Sequence, residues 1–193
     1  MTGVIRRRKN SLRLTGYDYA QAGAYFITTT LQGRVAILAD ICNDKFVLTL
    51  LGKIVRQAWL DLPRHYPMLV LDAFCVMPDH FHGIMIIQPG RGRSPLMEND
   101  IQSRNMCDEK DDQNGIKTCP SRSISEMVRA FKSFSARRIN AQRKTPGTTV
   151  WQRGFYEHII RDEADLNRIR VYIRDNPVKW NMKQTDSDWG ERK

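Results

Sequence analysis

Apolar residues fall into two blocks of recognisable period, separated by a stretch that has none. In the first block Tyr25 to Thr30 is aromatic and β-branched, lies between Gly23 and Gly33, and predicts a strand. Leu51, Ile54, Val55, Ala58, Trp59 and Leu62 then recur at helical spacing, and Pro63 is expected to stop that helix. Leu69 to Val76 and His80 to Ile87 form two further strands. The turn Met77-Pro78-Asp79 between them predicts an antiparallel pair.

In the second block Ile124, Met127, Val128, Phe131, Phe134 and Arg138 mark an amphipathic helix whose other faces carry Arg129, Lys132 and Arg137. A short strand or extended stretch follows around Trp151 to Ile160. Asp162 then caps a helix with Leu166, Ile169 and Ile173 as its buried stripe, which Pro177 is expected to end. The order β-α-β-β-α-β-α predicts an α+β protein: a ferredoxin-like antiparallel sheet with helices on both faces, one of them additional.

Between Gln88 and Ser123 the chain is rich in Gly, Pro, Ser, Asn and Asp without sustained periodicity, and predicts a long, mobile surface loop. With 193 residues, of which 41% are hydrophobic, residues 1–193 read as one domain carrying an insertion at about 88–123. No apolar run is long enough for a membrane span, and the N-terminal Arg6, Arg7, Arg8 and Lys9 lack the apolar segment of a signal peptide. The expectation is a cytoplasmic protein with no membrane partner. Cys42, Cys75, Cys107 and Cys119 are scattered, without a Cys-x-x-Cys pair, and read as free thiols.

Charge narrows the partner class. The formal charge is +10 and the isoelectric point about 9.7, a field that attracts polyanions. Six acids between Glu98 and Gln113 face only Arg104 and Lys110, so the folded body is more basic than the whole chain. Nucleic acid is the leading partner.

His80 and His82 stand two apart on a predicted strand, so both project from one face with Cα atoms roughly 6.5 to 7 Å apart. At that separation two imidazoles can converge on one ion, while Phe81 points into the opposite layer. A chance His-x-His pair is the alternative. Tyr172 and Asn176 are one turn apart on the last helix, close to one face, where a phenol could attack while an amide holds a metal. The competing reading makes Tyr172 a core aromatic and Asn176 a helix terminator before Pro177.

Three stretches bear on that choice: Met77-Pro78-Asp79-His80-Phe81-His82-Gly83-Ile84, Val150 to Arg161 (VWQRGFYEHIIR), and Val171 to Val178 (VYIRDNPV). Together and in this order, within a likeness running from about Gly16 to Lys179, they resemble the REP-associated tyrosine transposases, part of the HUH single-tyrosine transposases of bacterial insertion sequences. The resemblance implies an HUH nuclease fold, with His80 and His82 as metal ligands, Asn176 completing the site and Tyr172 as nucleophile. It implies a divalent cofactor, Mg2+ or Mn2+, and single-stranded or hairpin (palindromic repeat) DNA as substrate. Strand transfer would then pass through a 5′-phosphotyrosine. A monomer and a homodimer are both open. The loop at 88–123 is longer and more acidic than the family pattern.

Candidate DNA contacts are the arm Arg6, Arg7, Arg8 and Lys9, then Arg129, Lys132 and Arg137, then Arg153, His158 and Arg161. Taken singly, each reads more readily as a solvated surface charge, and His158 as either a phosphate ligand or supporting group of the site or a partly buried histidine. Tyr156 is the rival nucleophile, set in an extended stretch without a metal-directed partner one turn away. Two other functions fit the same residues: a metal-dependent hydrolase, which would leave no covalent adduct, and a hairpin-binding relative that no longer cuts.

Overall fold

The computed structural model describes residues 21–42, 45–89 and 123–190, the side chains of Ile41, Lys45 and 181–190 excepted. The basic arm at 6–9 and most of the insertion, 90–122, with Cys107 and Cys119, lie outside the described residues. Cys42 and Cys75 are free thiols.

Four strands form the central sheet: β1 (Gly23–Thr30), β4 (Leu69–Val76), β5 (His80–Ile87) and β6 (Tyr156–Ile160), in the order β4-β5-β1-β6 with every pair antiparallel. This is the expected ferredoxin-like order. Period two divides each strand between two cores. Tyr25 and Ile27 of β1, with Phe81 and Met85 of β5, face α1 (Leu50–Leu60) and α3 (Ile124–Arg143). Phe26 and Ile84 face α4 (Glu163–Gly190), whose Leu166, Ile169 and Ile173 close the second core.

The first core is aromatic. Trp59 packs 4.7 Å from Phe81 and 5.3 Å from Phe131, ring centre to ring centre, and Trp151 continues the cluster 5.8 Å from Phe131. The indole N–H of Trp151 donates to Ser135 Oγ, whose hydroxyl donates to the Phe131 carbonyl, so this buried polar pair is satisfied.

Where the fold departs from the expectations, local chemistry accounts for it. A hairpin, β2 (Ala39–Cys42) and β3 (Lys45–Leu48), is inserted between β1 and α1; four-residue strands are too short to show a period. Pro63 does not end helical structure, because α1 already ends at Leu60 and a short helix α2 (Leu62–His65) restarts with Pro63 in its first turn, where no N–H is needed. In the stretch 151–160 only Tyr156–Ile160 is strand, with Trp151 in an isolated bridge to Leu31. Asp162 does cap α4, its Oδ1 accepting from the Asp165 N–H at 2.8 Å. Pro177 does not terminate that helix, which runs on to Gly190. A proline removes one N–H and crowds one carbonyl; Tyr172 before it and Trp180 after it both pack on the sheet, which holds the two halves in line.

Gly83 shows how tightly β5 is seated. A Cβ there would lie 2.6 Å from Trp59 Cζ2 and 2.9 Å from Phe81 Cε1, too close for either rigid ring to yield. Gly83→Ala is expected to cost about 1–3 kcal/mol by overpacking. Urea denaturation followed by tryptophan fluorescence would measure it, and an unchanged midpoint would show that Trp59 is not wedged against the strand.

Candidate active site

The turn before β5 positions the histidines. Met77 N–H donates to the His80 carbonyl, the Asp79 carbonyl accepts from Leu31 N–H, and the Pro78 carbonyl accepts from Ile37 and Leu38 N–H. Strand alternation then places His80 and His82 on the α4 side of the sheet. Their Nε2 atoms lie 2.9 Å apart. Each outer nitrogen has its own partner: Asp79 Oδ1 at His80 Nδ1, and Thr28 Oγ1 at His82 Nδ1 at 2.8 Å.

These contacts determine where the protons sit. A carboxylate only accepts, so His80 carries a proton on Nδ1, and in the neutral form of that ring its Nε2 turns a lone pair toward His82. His82 is buried, and burial first, then the charge on His80, pushes its pKa down to about 3. It is therefore a neutral imidazole at neutral pH. With Thr28 O–H donating to Nδ1, His82 Nε2–H donates to His80. With the tautomer reversed, Thr28 accepts, and two lone pairs face one point. A hydroxyl can serve either tautomer, which a carboxylate cannot.

The same separation suits a divalent cation. Two ligands at right angles and about 2.0 to 2.1 Å from one octahedral ion stand about 2.9 Å apart. The outer partners of the two rings are of the kind that orient metal-bound histidines. Among the described residues no group of three or more His, Cys, Asp or Glu is placed to hold a metal, so a third protein ligand has to be of another type.

Helix α4 crosses directly over this pair. The Tyr172 ring centre is 5.4 Å from that of His82, and the Trp180 ring centre is 5.8 Å from that of His80. Asn176 is one turn from each, on the stripe that the two rings bracket. Its side-chain Nδ2 is buried with no hydrogen-bond partner. The two ends of that amide exchange by a half-turn of χ2, which would place an oxygen where the unpartnered nitrogen now sits.

Two ion-pair groups fix α4 in place. In β4, Leu71 pairs with Met85 and Phe74 with Gly83, so Asp72 and Ala73 stand opposite the single Ile84 in a bulge. Asp72 receives Arg170 Nε at 2.9 Å on one oxygen and Nη2 at 2.7 Å on the other, a two-point clamp two residues before Tyr172. Those hydrogen bonds hold the Asp72 carboxyl below its ordinary value. At the start of α4, Asp165 binds His158 Nε2 of β6 at 2.7 Å and also Arg168, and the His158 bond leads in lowering its pKa.

Between α4 and β6 opens a cleft of about 590 Å³, lined by Phe26, Tyr156, His158, Arg168, Tyr172 and Lys179 among others. Of the expected site residues, the fold brings together His80, His82, Tyr172 and Asn176, with His158 nearby but tied to Asp165. Arg129, Lys132 and Arg137 belong to α3, on the other side of the sheet. Lys132 donates to the Gln152 and Gly154 carbonyls at 2.6 and 2.7 Å, and Arg129 lies 3.8 Å from Glu126. Arg153 and Arg161 are exposed. Arg168 and Lys179 went unnoticed in the sequence, although they stand one turn before and two turns after Tyr172, a spacing that would have found them.

Known proteins resemble this chain in sequence and in fold. A family model described as transposase IS200-like matches residues 114–176, which include Tyr172 and Asn176. An uncharacterised protein of Haemophilus influenzae is 36% identical over 94% of each chain. A candidate REP-associated tyrosine transposase of the same organism is 30% identical, over 89% of this chain and 80% of that protein. Among solved structures, a REP-associated tyrosine transposase bound to a REP hairpin is 22% identical, covers 87% of this chain and 74% of that one, and superposes with a TM-score of 0.53, a likeness of fold.

The clamp on α4 has a pH signature. The Asp72 carboxyl is lowered from 3.8, so the stability it contributes is present above that value and is lost as the pH falls through the lower folded value. Asp72→Asn should therefore melt earlier than wild type at pH 7, with the two melting curves converging as the pH drops below 3.8. A constant difference across that range would show that the Asp72–Arg170 pair contributes nothing through charge.

Proposed function

The chain belongs to the family of REP-associated tyrosine transposases, and we propose that it cleaves and rejoins single-stranded or hairpin DNA through a covalent bond to Tyr172. One observation carries this reading: an exposed tyrosine on α4 stands over a histidine pair, His82 buried and His80 half-buried, whose Nε2 atoms lie 2.9 Å apart. The fold and the transposase family are shared with proteins that include one bound to a REP hairpin, which supports hairpin DNA as the partner.

The chemistry follows from what a phosphodiester demands. The Tyr172 hydroxyl attacks phosphorus and gives up its proton, the bond to the 3′-oxygen breaks, and that oxygen leaves as a 3′-hydroxyl. The products are a 5′-phosphotyrosine and a free 3′ end. Because one ester replaces another, the reverse attack by a 3′-hydroxyl rejoins the strand without ATP. A phenol is only about one part in a thousand ionised at pH 7, and its target is already anionic. A divalent cation held by His80, His82 and Asn176 would supply charge stabilisation at a non-bridging phosphate oxygen. Asp79 and Thr28 keep both rings aimed, and the Asp72–Arg170 clamp holds the phenol over them.

Incubation with labelled single-stranded palindromic DNA and Mg2+ or Mn2+, followed by a denaturing gel, tests the assignment. Wild type should give a protein–DNA adduct. Tyr172→Phe should bind the same DNA and give none, and mass spectrometry of the digested adduct should place the phosphate on Tyr172. An adduct on Tyr156, with Tyr172→Phe still active, overturns the assignment. Cleaved DNA without an adduct would indicate a hydrolase, and binding without cleavage a hairpin-binding relative.

The role of the histidines is separable. His80→Ala and His82→Ala should abolish cleavage and spare DNA binding, because the ion serves the transition state. Thr28→Val, which removes the hydroxyl at His82 Nδ1, should lower metal affinity or cleavage by about 10- to 100-fold. Full cleavage by either alanine variant, or by wild type in excess chelator, removes the metal from the mechanism.

A further inference from the structure

Two tyrosines border the cleft between β6 and α4, and only Tyr172 is used by the chemistry proposed above. Tyr156 is 46% exposed and Tyr172 is 43% exposed, large fractions for aromatic residues this close to a buried core. Both pack against Phe26: the ring centre of Tyr156 is 6.3 Å away with its plane at 70°, and that of Tyr172 is 6.0 Å away at 88°. Phe26 thus supports two rings that both stand steeply to its own plane. The register explains the spacing, because Tyr156 pairs with Thr28 and Thr28 with His82, so Tyr156 lies in the row of the histidines, two strands across.

The cleft also has the charge for a nucleotide. Arg168 and Lys179 of α4 line it, and Lys179 makes no ion pair among the described residues. Arg168 shares Asp165 with His158, which fixes its guanidinium at the rim. A volume of about 590 Å³ lies within the range of small-molecule sites. Aromatic faces with a cation beside them are how proteins hold single strands without reading sequence, since every base has a π-face.

We infer that this cleft is a nucleotide-binding subsite, in which Tyr156 stacks one unpaired DNA base next to the scissile phosphate and Lys179 meets the backbone. The inference rests on the single-strand reading above and deepens it. Tyr156 is a positioning residue: it makes no bond to the reacting phosphorus, and by holding the neighbouring base it sets where the phosphodiester lies relative to Tyr172. A duplex cannot use the subsite, because its bases are already stacked.

The test compares dT12 with a twelve-residue abasic strand of equal charge, measured by fluorescence anisotropy in the Tyr172→Phe background so that no chemistry intervenes. Tyr156→Ala should weaken dT12 binding about 5- to 150-fold, the effect of about 1–3 kcal/mol per stacked base. Tyr156→Phe should stay close to the parent, and all three proteins should bind the abasic strand alike. Lys179→Gln should reduce the salt slope by about 0.7 on both strands. If dT12 binds but Tyr156→Ala changes nothing, or weakens both strands equally, the subsite is overturned while strand cleavage stands. If the parent holds neither dT12 nor a hairpin, the single-strand reading itself falls, and the subsite with it.

Discussion

The pairing of β1 with β5 is the constraint on which the rest of the molecule depends. Both faces of these strands are buried, so their register decides which side chains enter which core. Slipping β5 by one residue would turn His80 and His82 into the aromatic layer around Trp59 and push Phe81 under α4. The imidazoles would then lose Asp79 and Thr28, and the Trp59–Phe81–Phe131 cluster would lose its centre. The histidine pair is therefore placed by hydrophobic sorting, before any property of a ligand enters. Gly83 adds to this, since it is the point at which β5 admits the Trp59 ring.

The sheet supplies one half of the site and α4 the other, and the two are joined differently from the cores. Ile169 and Ile173 seat α4 by apolar contact, which tolerates sliding along the helix axis. The two-point bond between Arg170 and Asp72 does not, because a guanidinium matches a carboxylate in one orientation. The bulge makes that bond available by giving Asp72 and Ala73 both to the α4 side, opposite one residue of β5. Local irregularity in an edge strand thus determines where the Tyr172 phenol stands over the His82 ring.

What the sequence reveals and conceals follows from the range of each interaction. The strand pair around Met77–Asp79 was legible to the residue, because alternation and a proline turn are local signals. So was the shared face of His80 and His82, and the one-turn spacing of Tyr172 and Asn176. The β2–β3 hairpin was not, being two strands of four residues with no room for a pattern. Pro177 misled because its local penalty is outweighed by tertiary contacts of Tyr172 and Trp180 that no window contains. The Asp72–Arg170 clamp joins positions far apart in the chain and left no trace in spacing. Nor could composition tell that Lys132 is bound to two carbonyls, or that α3 lies on the far side of the sheet from the histidines.

That last point limits what the basic composition can explain. Charges on α3 are separated from the Tyr172 side by the sheet and two packing layers, each about 10 Å deep. Screening at physiological ionic strength has a length of about 8 Å, so Arg129 and Arg137 act only weakly on a phosphate held at the histidines. Closer in, Arg170 is bound to Asp72, and Arg168 shares Asp165 with His158. The formal charge of +10 therefore bears on encounter with a polyanion, where summed fields matter and contacts do not. Selecting one phosphodiester falls to short-range groups: the imidazole pair, a buried amide, aromatic rings and the few cations along the cleft. Such groups act over hydrogen-bond and stacking distances, which is why the fixed positions of β5 and α4 matter more to this chemistry than the number of basic residues.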